Sequence, residues 1–173
     1  MLGIAEWYSP VVPGTNLLHP RPGSASDLKK YFPEIDTTIW PTSLYYPSRK
    51  GEDVAEVHDR IDGFLKAFPA ALDRKKDAID TRRVLFVSHA ATVIVLVRAL
   101  VGDRDLPLMV GCASLSELVP EDETGRTNLL GGWKAIKAAD GSHLTGGSSR
   151  EWGFNNIEVE KGRVSLLPRH ARK

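Results

Sequence analysis

A chain of 173 residues, 42% hydrophobic and 26% charged, is long enough for one ordinary core and is expected to form a single domain over residues 1–173. A formal net charge of +1 gives no general attraction to nucleic acid or to a membrane surface, so direct binding to either is not expected. The one cysteine, Cys112, excludes an internal disulfide and points to a reducing, intracellular compartment, cytoplasm or nucleus.

The first residues, MLGIAEWYSPVVPG, lack the basic patch and apolar run of a secretory signal. Seven of the eleven prolines then lie from Pro10 to Pro47. Proline fixes φ and removes a donor, so residues 8–51 are expected to be a long excursion with at most short helices, Ser26–Phe32 being one. Such a stretch can shape an active site or simply form a solvated loop, and its pattern favours neither. Val54, Val57, Ile61, Phe64, Leu65, Phe68 and Leu72 recur at three- and four-residue spacing, which predicts an amphipathic helix with Glu52 and Asp53 at its positive end. His58 and Arg60 fall beside its apolar stripe and are expected in solvent. Arg74–Asp80 reads as a charged turn.

Arg83–His89 then reads as a buried parallel strand with Val84–Val87 as its apolar part. The β-branched run in Ala91–Val101 could be a strand, but flanking alanines and a stop at Gly102 favour a helix packed on a sheet and covered on its other side. Ser88, His89 and Arg98 interrupt the apolar stretch 84–101, so it is not a membrane span. The tail is expected to form antiparallel strands at Ala113–Val119, Trp133–Ala138, Asn155–Glu160 and Arg163–Leu167, the last two joined around Lys161-Gly162.

His89 is the most informative single position. It stands where a predicted strand ends and a helix begins, the edge at which open α/β sheets bind ligands. Backbone N–H groups of the helix start favour an anion there, and a histidine can hold or protonate a phosphoryl oxygen. From position alone, a strand-end histidine bonded to a neighbouring loop is the commoner case. Cys112 lacks the arginine six residues on that a cysteine phosphatase needs, since position 118 is Leu, and is expected to be a small buried thiol. Ser88 and His89 are adjacent on a strand and point apart, so they are not a hydrolase pair. His19, His58 and His143 show no metal-site spacing, and neither metal nor cofactor is expected. Trp7, Trp40, Trp133 and Trp152 suit packing better than base stacking.

The segment VLFVSHAATVIVLVRALVG resembles the second-histidine segment of the histidine phosphatase superfamily, which includes the phosphoglycerate mutases. Residues 3–7, GIAEW, resemble a Gly-x-x-Glu-Trp segment of one eukaryotic branch, whose glutamate is the general acid. Gly51-Glu-Asp and the helix bearing Arg60 are similar to the family's Gly-Glu-Ser segment. CASLSELV, GGW and HLTGGSSREWGFNN resemble segments of a fungal subgroup that contains the phosphatase-like subunit of transcription factor IIIC. The resemblance covers roughly residues 3–160. It implies an α/β, phosphoglycerate mutase-like fold: a mainly parallel sheet flanked by helices, with an antiparallel β tail. It also implies His89 and Glu6 as catalytic residues and the Ala90 and Ala91 backbone as phosphate-binding.

The family's nucleophile is a histidine in an Arg-His-Gly motif on the first strand, and a further arginine follows it. Both belong before Gly3, so the first strand and the nucleophile are expected to be missing from the chain. The sole Arg-His is Arg169-His170, followed by alanine. The resemblance thus implies a phosphomonoesterase acting through a phosphohistidine on a phosphorylated substrate, inactive as written. Its alternative is a non-catalytic binding module, with protein subunits of an RNA polymerase III transcription complex as partners.

Overall fold

A computed structural model describes residues 2–38, 44–123, 125, 128–160 and 163–166. Trp40, the Lys161-Gly162 turn and the Arg169-His170 tail lie outside these residues. In chain order the elements are α1 (Ala25–Leu28), α2 (Val54–Asp73), α3 (Ala90–Val101), β1 (Val110–Cys112), β2 (Leu115–Pro120), β3 (Trp133–Asp140), β4 (Ser149–Trp152), β5 (Ile157–Glu160) and β6 (Arg163–Leu166). Among its described residues the proline-rich excursion holds one short helix, α1, which overlaps the start of the expected Ser26–Phe32 region. Its two ends run side by side: Val11 N–H donates to Lys50 C=O and Glu52 N–H to Tyr8 C=O. Gly51 permits this closeness, because it has φ +85° and a Cβ there would strike the Ser9 carbonyl.

The two long helices form where periodicity predicts them. Asp53 caps α2 by accepting from Glu56 N–H, while the Glu56 carboxylate accepts from Asp53 N–H, a reciprocal capping box. The α3 helix stops at Gly102 in the left-handed conformation. Val57, Ile61, Phe64, Leu65 and Phe68 of α2 meet Ala91, Val95, Leu96 and Ala99 of α3 in one core, joined by Ile4 and Trp7 from the N-terminal segment. Trp7 is edge-on to Phe154 at 5.6 Å between ring centroids and 6.0 Å from Trp152, which draws the C-terminal part onto the same core.

Three expectations are corrected. Residues 84–87 do not form a buried parallel strand: they belong to no strand, with Leu85 77% and Val87 82% exposed. Nor is a mainly parallel sheet present among the described residues, whose strands pair antiparallel as β1–β4, β2–β3 and β5–β6. The reason is local: a parallel strand is stable only with neighbours for its N–H and C=O groups, and residues 84–87 have none among the described residues. Cys112 is exposed rather than buried, because it ends β1 at a bulge in the β1–β4 register. The tail strands at 115–120, 133–140, 157–160 and 163–166 fall close to their expected positions, whereas β1 and β4 were not anticipated.

Candidate active site

The N-terminal segment crosses the start of α3 and is fixed there by side chains from both helices. Ser88 Oγ donates to Ile4 C=O at 2.6 Å, and Thr92 Oγ1 donates to Ala5 C=O at 2.7 Å. From α2, Arg60 Nη1 donates to Gly3 C=O at 2.6 Å and to Ala5 C=O at 3.4 Å. Trp7 Nε1 donates to Glu52 C=O at 2.8 Å. Glu6 therefore sits on a stretch of backbone anchored on both sides.

The Glu6 carboxylate lies over the first turn of α3. Its Oε1 accepts from Trp7 N–H at 2.9 Å, and its Oε2 is 2.9 Å from His89 Nδ1. At this separation the carboxylate can accept from a proton-bearing Nδ1, and Nε2 is the second position of the imidazole. His89 is the N-cap of α3 in extended conformation and makes no side-chain cap bond, so its ring is available to Glu6. The pair stays accessible, with the His89 side chain 57% and the Glu6 side chain 37% exposed. The first N–H groups of α3, those of Ala90, Ala91 and Thr92, lack partners within the helix and form its positive end beside the imidazole. Together these groups can hold an anion, accept or deliver a proton at Nε2, and keep a carboxyl within reach of a bound oxygen.

Below this surface lies a buried ion pair. Arg60 Nε donates to both carboxylate oxygens of Glu52, at 2.8 and 3.0 Å. Burial pushes the Glu52 carboxyl above its ordinary value despite the pull of Arg60, and pushes Arg60 below its own despite Glu52. Arg60 Nη2 and His58 Nε2 are buried without a hydrogen-bond partner. The expectation that His58 and Arg60 are solvated is therefore corrected: both are buried. The signal was present in the spacing. Arg60 follows Val57 by three and precedes Phe64 by four, which puts it on the buried face of α2. The resemblance of Gly51-Glu-Asp and the Arg60-bearing helix to a family segment marks Glu52 and Arg60 without pairing them, and the anchoring roles of Ser88 and Thr92 have no signal in the pattern.

The structure thus brings Glu6 and His89 into contact and sets Ala90 and Ala91 directly after the imidazole. No other histidine among the described residues joins them. His19 stacks on Tyr8 and bonds to Ser9 C=O, His58 bonds to Val54 C=O, and His143 lies on an exposed turn after β3. Among the described residues no helix is long and apolar enough to cross a membrane. A profile of the histidine phosphatase superfamily (branch 1) matches residues 23–131, more than half of the chain. The matched stretch contains Glu52, Arg60, His89, Ala90 and Ala91, whereas Glu6 precedes it. No curated protein matches the chain.

Proposed function

The chain belongs to the histidine phosphatase superfamily, and on that footing we propose that Glu6 and His89 are the acid and the phosphate-binding histidine of a phosphomonoesterase site. One observation carries the reading: His89 Nδ1 and Glu6 Oε2 are 2.9 Å apart at the N-terminus of α3. In this reading Nε2 of His89 and the N–H groups of Ala90 and Ala91 hold the phosphoryl oxygens of a phosphorylated substrate. Glu6 in its protonated form gives its proton to the leaving oxygen and is left as the carboxylate that pairs with His89.

By resemblance, the phosphoryl acceptor is a histidine in an Arg-His-Gly segment, and the sequence contains no such segment. Loss of one member of a catalytic set costs orders of magnitude. The chain as written is therefore expected to bind a phosphate group without turning it over. That same feature favours a second reading, a non-catalytic binding module. The resemblance of Cys112–Val119 and His143–Asn156 to the transcription factor IIIC-like subgroup gives that module a form, a subunit of a transcription complex. The test is an assay of the purified chain with an aryl phosphate. The expected result is turnover at background. Robust turnover that disappears in His89→Ala would show that the nucleophile is present and has been misassigned.

A further inference from the structure

We infer that the buried Glu52–Arg60 pair is a positioning device that holds Glu6 against His89. The inference rests on the reading of Glu6 and His89 as partners in one site. Arg60 reaches the backbone before Glu6, through Nη1 to Gly3 C=O at 2.6 Å and to Ala5 C=O at 3.4 Å. Glu52 reaches the backbone after it: its C=O accepts from Trp7 Nε1 at 2.8 Å, and its N–H donates to Tyr8 C=O at 2.9 Å. Arg60 Nε, bonded to both oxygens of Glu52, closes the bracket. Residues 3 and 5 on one side of Glu6, and 7 and 8 on the other, are thus tied to a single ion pair.

Stability alone is a weak reason for such a pair. Two buried charges lose their hydration, and apolar residues of the same volume commonly hold a core as well or better. The Arg60 guanidinium also keeps one nitrogen, Nη2, without a partner, which a purely stabilising contact would not favour. What the pair supplies that leucine and methionine could not is direction. Its fork fixes carbonyls of the segment whose next side chain must meet an imidazole. Among the described residues neither Glu52 nor Arg60 bonds to His89, so they act through Glu6.

The tautomer of His89 reads this out directly, because the nitrogen carrying the proton is set by the bond the ring makes. The full chain, labelled with ¹⁵N, is compared with Glu6→Ala, Arg60→Lys and the double replacement Glu52→Leu with Arg60→Met, at alkaline pH where imidazoles are neutral. Circular dichroism verifies folding. The expected result is a dominant Nδ1–H form in the parent chain that is lost in Glu6→Ala, which has no acceptor, and equally lost in Arg60→Lys. The double replacement carries the test if Arg60→Lys does not fold, since it leaves no buried charge unpaired. If the folded Arg60 variants keep the Nδ1–H form while Glu6→Ala loses it, the ion pair only stabilises and the inference is wrong, although the Glu6–His89 pair stands. If Glu6→Ala also keeps it, the pair itself is not formed, and both the inference and the proposed function fall.

Discussion

Residues 84–87 and residues 91–101 are neighbouring apolar runs, separated by Ser88, His89 and Ala90. Their environments are opposite. The second run is α3, with Ile94, Val95 and Val97 buried against α2 and the antiparallel strands. In the first, Val84, Leu85 and Val87 face solvent, and only Phe86 turns inward, edge-on to Phe64 at 5.9 Å and to Phe68 at 5.2 Å. Hydropathy does not separate the two. A helix satisfies its own backbone groups and needs only an apolar neighbour, whereas an extended segment needs a second strand for its N–H and C=O groups. Residues 84–87 have no such strand among the described residues, and so they line the core with one side chain instead of four.

The largest expected effect is in hydrogen exchange. Amides in the middle of α3 are expected to open only with the whole domain, at a cost on the order of 5–15 kcal/mol. Amides of 84–87 are expected to exchange at nearly the rate of an unfolded chain. Strong protection across Val84–Val87 would mean that these residues do pair in solution, and the contrast would collapse.

Truncation of side chains sharpens the same contrast. Phe64 is fully buried among Phe68 and Phe86, so Phe64→Ala is expected to cost about 3–5 kcal/mol in a urea titration. Leu85→Ala, at an exposed site, is expected to stay within about 0.5 kcal/mol. Equal losses would place Leu85 in a core.

Smaller effects concern the layer that carries the site. Thr92→Val keeps the shape of a fully buried side chain but removes its donation to Ala5 C=O, at a cost of about 0.5–1.5 kcal/mol. An unchanged urea midpoint would show that Arg60 Nη1 alone satisfies that carbonyl. The smallest effect is a pH slope. Burial raises Glu52 above its ordinary value, so the folded chain binds that proton more tightly than the unfolded chain. The associated stability is full below the ordinary carboxylate value and declines as pH rises from there through the raised value. Glu52→Gln is expected to remove that decline, and an identical slope in both proteins would assign it to other groups.

How far the sequence could be read follows from which forces are local. Helices α2 and α3 were legible to within a residue or two because their spacing, the acidic start at Asp53 and the stop at Gly102 are features of a single segment. The strands β2 and β3 and the hairpin β5–β6 were legible for the same reason, whereas the pairing of β2 with β3 came from the structure. Pairing of β1 with β4 joins distant residues through an irregular register and left no periodic mark. His89 and Glu6 were singled out through resemblance. Their contact depends on Ser88, Thr92 and Arg60 fixing the backbone from three directions, and nothing in the pattern of residues 3–7 encodes that. The pattern of residues 8–51 is open between loop and site wall, and among its described residues Tyr8 stacks on His19, at 4.7 Å.

The central claim is that Glu6, His89 and the first turn of α3 form a phosphate-binding site, and a titration of the ¹⁵N-labelled chain with inorganic phosphate tests it most directly. Saturable shifts are expected at Glu6, at the His89 ring and at the amides of Ala90 and Ala91, all abolished in a folded His89→Ala chain. Shifts centred elsewhere, or none at these positions in the folded parent chain, would contradict the account.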